Sequence, residues 1–393
     1  MKSILIIPSW YKSADSPSAG SFFEEQAKLM AKAYEICLYV LERVFVEDID
    51  GFPEERPQRS EVIPGLYLYR LKYPQSHILS PEDNLKKQIF YGKKGFEFLL
   101  RDRGRGFNLI HAQATFPAGI IARHISILYK TPYIVTEHFG PFNPDFLHSS
   151  FTKNEMKQAL ECANMVLSVS YHLRQQILMQ NIYCNPIVVG NMVDDELFCI
   201  DFKPSGSIVK LLCVAYYPGY IKDMDNLFSA ISLLKDRQLN FHMIVIGGGE
   251  PQGGNTGKNI LFDLKEKYNL GDEITIIGSC SRTQMKEHMQ SCDFYISSSI
   301  AETFGVCICE AMLCGKPVVL TNNGGSADFV NQKNSITVEI HDPQQLADAI
   351  IMMVNSRSEY DSFYIRNHIV EKYGKQAFFK RLSTIYDNVI NLL

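Results

Sequence analysis

Ser297-Ser298-Ser299-Ile300-Ala301-Glu302-Thr303-Phe304-Gly305-Val306-Cys307-Ile308-Cys309-Glu310-Ala311-Met312 follows the apolar run Phe294–Ser298 and leads into a helical pattern ending at Gly315-Lys316-Pro317. An apolar run that gives way to a turn, a glycine and a helix marks a strand–turn–helix unit of a parallel sheet. Two carboxylates, Glu302 and Glu310, stand eight residues apart, with Gly305 near the helix start. Along a helix that spacing spans about 12 Å. It exceeds the roughly 5 to 9.5 Å of a glycosidase carboxylate pair. It suits one elongated ligand gripped at both ends. A diphosphate between the carboxylates would rest on the amides of Phe304, Gly305 and Val306, at the positive end of the helix dipole. The plainer alternative is a helix cap at Glu302 and a surface ion pair at Glu310.

Outward from this stretch, short apolar runs alternate with amphipathic helical patterns. Toward the N-terminus the predicted strands are Lys2–Pro8, Leu109–Ala112, Tyr133–Thr136, Val166–Val169 and Ile187–Val189. Helices are predicted over Phe22–Lys32, Ala118–Leu128, Lys153–Ala163 and Leu173–Met179. The rhythm restarts with strands at Val209–Ala215, His242–Gly247, Ile274–Ile277, Phe294–Ser298 and Pro317–Leu320, and Val370–Leu393 closes the chain as a long helical pattern. Strands rich in Val and Ile, separated by helices, imply βαβ units. The pattern predicts two doubly wound parallel-sheet α/β domains, 1–200 and 207–372, facing each other across a cleft at the carboxyl ends of their strands. Asp201–Ser207 is the expected linker.

Bulk composition narrows the function classes. In 393 residues, 46% are hydrophobic, 11% aromatic and 21% charged, which excludes disordered and fibrous classes. A net charge of -4 argues against whole-chain binding to nucleic acid. No segment approaches the ~18 uninterrupted apolar residues of a membrane span. The run Met1–Pro8 is too short for a signal peptide, so a cytoplasmic location is expected. The ten cysteines fall mostly in apolar runs, consistent with buried thiols in a reducing compartment. No CxxC pair or His partner supports a metal at Cys307, Cys309 and Cys314. Lys86–Arg105 is locally basic and carries interleaved aromatics. It is a candidate for peripheral contact with an anionic membrane, against the simpler expectation of a helix covering the sheet.

The segment Glu302 to Glu310, continued by Ala311-Met312-Leu313-Cys314-Gly315-Lys316-Pro317-Val318-Val319 and Gly324-Gly325, resembles the signature of the family 4 retaining glycosyltransferases, enzymes of the GT-B fold. Pro8-Ser9-Trp10 leading to Gly20-Ser21-Phe22 is similar to that family's first loop. Asn108–Ala112 and Val135-Thr136-Glu137-His138 resemble the ends of two later strands, and Val189–Asp194 with Phe198 resembles the segment between the domains. Ile246-Gly247-Gly248-Gly249-Glu250 and Ile277-Gly278 resemble two C-terminal loops.

The resemblance implies a metal-independent, retaining transfer of a sugar from a nucleoside-diphosphate donor to an acceptor hydroxyl, with no cofactor, in surface polysaccharide or glycolipid assembly. The acceptor, a glycan or a lipid-linked one, would bind the first domain, and the helix 373–393 would cross back to it. Glu310 would hold the ribose hydroxyls. Glu302 would contact the donor sugar, beside the backbone of Phe304, Gly305 and Val306. Lys222 would stabilise the departing diphosphate in place of a metal. Gly20 would let the first loop approach the phosphates, Gly278 would lie near the base, and His138 would orient the reacting groups. Tyr216 stands where the family usually has an arginine, and a phenol brings a hydrogen bond but no charge. A nucleotide-sugar-binding protein with weak or no catalysis is therefore the alternative. A dehydrogenase would need a G-x-G-x-x-G after the first strand, where Pro8-Ser9-Trp10-Tyr11 stands instead.

Overall fold

Ser3–Pro8, buried along its whole length, is the strand (β1) around which the first sheet forms. In the computed structural model, which describes all residues except 14–18, 50, 54–55, 144–148, 202–205, 217, 249–255 and 392–393, β1 is followed by α1 (Ser21–Met30), β2 (Glu35–Phe45), β3 (Gln58–Ile63), β4 (Leu66–Gln75) and α2 (Pro81–Arg103). Then come β5 (Leu109–Gln113), α3 (Ile120–Tyr129), β6 (Tyr133–Glu137), α4 (Ser150–Glu161), β7 (Met165–Ser168), α5 (Tyr171–Leu178) and β8 (Ile187–Val188). The sheet order is β3-β4-β2-β1-β5-β6-β7-β8. Only the edge strand β3 runs antiparallel to its neighbour. The order reverses between β1 and β5, which opens a crevice at their carboxyl ends.

The second sheet uses β9 (Val209–Ala215), β10 (Phe241–Gly247), β11 (Ile274–Ile277), β12 (Phe294–Ser297), β13 (Val318–Thr321) and β14 (Ser335–Val338), all parallel. Its helices are α6 (Met224–Asp236), α7 (Thr256–Lys267), α8 (Arg282–Ser291), α9 (Val306–Leu313), α10 (Pro343–Ser356) and α11 (Ser362–Tyr373). The order β11-β10-β9-β12-β13-β14 reverses between β9 and β12. Leu211, Met243, Phe294, Ile296 and Val319 from the strands pack with Phe228, Ile231, Leu346 and Ile350 from the helices. Burial of that apolar face is what holds the helices on the sheet.

Two compact units result, Met1–Gly190 with Phe379–Leu393, and Asn191–Phe378. The division thus lies earlier than the expected linker, of which 202–205 fall outside the described residues. Arg366 explains the shift. Its guanidinium donates to Asp195 O, Phe198 O and Leu313 O, each at 2.6 Å, and so binds the 191–200 stretch to α11 and α9. The long helix expected over Val370–Leu393 is two helices. It breaks at Gly374, where Lys375 N, at the start of α12 (Lys375–Asn391), donates to Asp195 Oδ1 at 2.9 Å.

Helix α2 buries Leu85, Ile89, Phe96 and Leu99 against its unit. Arg103, with 5% of its side chain exposed, pairs with Glu35 at 2.6 Å and stacks on Phe107. Most of the apolar face of the basic segment is spent on packing, with Phe90 left 53% exposed. Among the described residues no helix is long and apolar enough to cross a membrane.

Candidate active site

In the second unit the loops after β9 and β12 are stitched together. Ile300 N donates to Ile221 O, and Ser298 Oγ donates to Lys222 O, both at 2.8 Å. Lys222 ends the short turn Tyr220–Lys222, and Asp223 then caps α6. Asp223 is further held by His341 Nδ1 at 2.7 Å. This backbone leaves Lys222 Nζ 2.5 Å from Glu302 Oε1, which also accepts from Ser299 Oγ at 2.8 Å. Burial alone would lower the Lys222 pKa, but the Glu302 charge overrides it and holds the ammonium above its usual range.

Glu302 is not on the helix. It forms an extended bridge with Gly324, its N–H donates to Asn323 O at 2.9 Å, and α9 begins only at Val306. The 12 Å helical spacing to Glu310 therefore does not apply, and Glu302 is no helix cap. Gly305 takes that place at φ 96, in the left-handed region open to glycine. Ile308 N and Cys309 N donate to Gly305 O, both at 3.1 Å, and the amides ahead of them at the start of α9 have no carbonyl of a preceding helical turn to bond. Gly325 closes the other side. A β-carbon there would lie 2.3 Å from Glu302 O and 2.7 Å from Phe304 N. The Phe304 ring is a core wedge, 4.9 Å from Tyr373 and 5.4 Å from Phe329, so only its backbone faces the loop.

Glu310, on α9, is 5% exposed. Arg282 reaches it from α8, with Nη1 3.3 Å from Oε1, while Nη2 lies 3.8 Å from Asp194 Oδ2. The guanidinium sits 5.3 Å from the Phe198 ring centre. Burial raises the Glu310 pKa to about 7, with Arg282 opposing the rise and Asp194 adding to it.

In the first unit a second cluster gathers beyond β1, β5 and β6. His138 Nε2 is 2.7 Å from Gln113 Oε1. The His138 ring lies 5.4 Å from Phe22 and 5.2 Å from Phe23, and Trp10 is 5.2 Å from Phe23. Gly20, at φ 66, ends the loop from Trp10, and a β-carbon there would come within 2.6 Å of Trp10 O. Beneath His138, the buried Glu137 accepts from four donors. They are Thr115 N at 2.9 Å, Thr115 Oγ1 at 2.5 Å, His138 N at 2.8 Å and Phe139 N at 2.7 Å. Burial raises the Glu137 pKa, and those donors pull against the rise. His111 is a core residue instead, bonded at 2.7 Å to both Tyr386 Oη and Thr136 Oγ1. Burial, with a smaller contribution from His138, lowers its pKa to about 3 and keeps it neutral.

Of the residues singled out by sequence, the fold brings together Lys222, Glu302, Gly305 and Val306. It sets Glu310 on the same helix as Val306, and places Tyr216 and Gly278 directly after β9 and β11. His138 and Gly20 belong to the first-unit cluster. Gly249 and Glu250 lie outside the described residues. Arg282, Gln113 and Thr115 carry no local sequence signal, and Ser299 stands in the opening stretch without one of its own. Glu137 and Asp194 stand inside quoted motifs, but only burial reveals their part. Among the described residues no three His, Cys, Asp or Glu side chains are grouped to hold a metal.

Residues 209–373 match the family model of the glycosyl transferases group 1. An uncharacterized glycosyltransferase of Methanocaldococcus jannaschii is 27% identical over 306 residues, covering 73% of this chain and 82% of that protein. A Bacillus subtilis protein whose name ties it to teichuronic acid biosynthesis as a glycosyltransferase, TuaC, is 21% identical over 88% of both chains. Among solved structures, sucrose-phosphate synthase of Thermosynechococcus elongatus superposes over 100% of both chains, with a TM-score of 0.80 at 16% identity. Anabaena HepE in complex with UDP and glucose covers 98% of this chain and 100% of its own, with a TM-score of 0.72 at 16% identity. The two parallel-sheet α/β units match the GT-B architecture, and the second carries a glycosyl transferases group 1 domain.

Proposed function

From a second unit that carries a glycosyl transferases group 1 domain, we propose that the protein is a retaining, metal-independent glycosyltransferase acting on a nucleoside-diphosphate sugar. The observation that carries this reading is the Lys222–Glu302 pair, held where the sheet order reverses between β9 and β12. Crevices at such reversals are where open α/β sheets bind nucleotides. On donor binding, the diphosphate takes over the Lys222 ammonium and the open amides of Gly305 and Val306. Glu302 exchanges its lysine for sugar hydroxyls, and Glu310 accepts from the ribose.

The transfer is a same-face displacement. The anomeric carbon–phosphate oxygen bond breaks, the bond to the acceptor oxygen forms, and the acceptor proton passes to the departing phosphate. Lys222 compensates the charge that grows on that phosphate, which removes the need for a metal ion. In the first unit, His138 orients the acceptor side of the reaction, its ring fixed by Gln113 and Phe23.

The UDP complex of HepE makes UDP sugars the first donors to test, and the TuaC similarity favours an acceptor from surface polysaccharide assembly. Tyr216 at the usual arginine position supports a second reading, a nucleotide-sugar binder with little turnover. Thermal stabilisation by a panel of UDP and GDP sugars, followed by a transfer assay with chelator present, separates the two. A ligand at 100 times its Kd adds about 2.7 kcal/mol. A requirement for divalent metal overturns the Lys222 role. For α2, peripheral contact with anionic lipid is an electrostatic proposal only, through outer-face cations such as Lys87 and Lys93. Liposome flotation unchanged by reversing those charges removes it.

A further inference from the structure

Glu310 has an unusual problem for a carboxylate that must grip two hydroxyls. Its side chain is 7% exposed, and among the described residues the side chain donating to it is the half-exposed Arg282. A protonated carboxyl keeps a single good acceptor oxygen, whereas an ionised one accepts at both. We infer that Arg282 is a positioning residue for donor binding, holding Glu310 as a carboxylate aimed at the ribose. The inference rests on the proposed ribose role of Glu310.

The geometry is built for this. Arg282 is the first residue of α8, whose start is locked by a capping box. Gln284 N donates to Ser281 Oγ, and Ser281 N donates to Gln284 Oε1. The guanidinium lies over the buried Phe198 ring, and its two arms point to Glu310 and to Asp194. Among the described residues Asp194 is the other charge that acts on Glu310, and it pushes the proton on. Lys375 Nζ, 2.6 Å from Asp194, offsets it. On its own helix Glu310 has Cys307 and Cys309 for neighbours, both thiols held neutral by burial. Arg282 is thus the cation that opposes protonation of the buried carboxylate, and α8, the helix before α9, delivers it.

The test is nucleoside-diphosphate affinity by calorimetry from pH 5.5 to 9, with UDP and GDP as probes. Wild-type affinity is expected to weaken below about pH 7. Arg282→Gln is expected to move that midpoint up by at least about one unit, an approximately tenfold loss on the acid side, with affinity recovered at pH 9. Arg282→Lys is expected to restore most of the wild-type profile. In a Glu310→Gln background, adding Arg282→Gln is expected to change nothing further. An Arg282→Gln protein that is weaker by the same factor at every pH overturns the inference, because the arginine then contacts the nucleotide itself. If Glu310→Gln alone leaves affinity untouched, the ribose role of Glu310 fails instead.

Discussion

Lys222 Nζ lies 2.5 Å from Glu302 Oε1 across a sequence separation of 80 residues. The pair exists because Ile221 and Lys222 are hydrogen-bonded through their carbonyls to Ile300 N and Ser298 Oγ. Cation and carboxylate are therefore held by backbone, and a ligand can exchange their partners without moving the loops.

Removing the cation tests that exchange. Lys222→Ala is expected to lower affinity for a nucleoside diphosphate by about 10- to 100-fold, the worth of one charge-assisted hydrogen bond to phosphate. Glu302→Gln, by contrast, is expected to keep the affinity for the bare diphosphate and to reduce turnover with the sugar donor. Calorimetry and a transfer assay on the two variants check the split.

Glu310 is expected to cost stability at neutral and higher pH. Its folded pKa, about 7, exceeds the ordinary 4.5, so the folded protein holds this proton more tightly than the unfolded chain does. Its favourable contribution is complete below about pH 4.5 and is lost as pH rises through about 7. By pH 8 the loss approaches about 3 kcal/mol. Glu310→Gln removes this dependence. Urea unfolding is expected to show the variant gaining on the wild type between pH 5 and pH 8, while nucleotide affinity falls.

Gly325→Ala places a β-carbon against Glu302 O and Phe304 N, both backbone atoms that cannot turn aside. A destabilisation of about 1–3 kcal/mol is expected, with a loss of donor affinity because Glu302 is displaced. A shifted urea midpoint together with weakened nucleotide binding checks it.

His138→Ala is expected to reduce turnover by about 10²–10⁴-fold. Nucleoside-diphosphate affinity should stay within about twofold, since Lys222, Gly305, Val306 and Glu310, which are assigned to the diphosphate and ribose, lie in the other unit. Full turnover in the variant removes the histidine from the reaction.

Much of the architecture was legible in the chain. Val209–Ala215 and Ile274–Ile277 coincide with β9 and β11, since short branched runs between helices have few other ways to bury themselves. The place of Glu302 and Gly305 just after a strand was legible too, because the turn and the glycine follow directly on the apolar run, whereas Lys222 stood out only through the family resemblance. Strands β2 and β4 are less legible in the sequence. β2 carries Glu42 and Arg43 in its second half and β4 carries Arg70 and Lys72 at its middle, and such polar residues blur the apolar run.

The sequence by itself determined the two α/β halves, the strand–turn–helix at 294–313 and the two carboxylates around Gly305. Those depend on residues within one or two turns of each other. Tertiary structure alone decided that Glu302 stands off the helix, that Arg282 serves Glu310, that Glu137 gathers four donors and that 191–200 joins the second unit. Each of these depends on strand order and burial. Partners tens of residues apart meet only once the sheet is assembled, and a carboxylate's proton affinity is set by what then covers it.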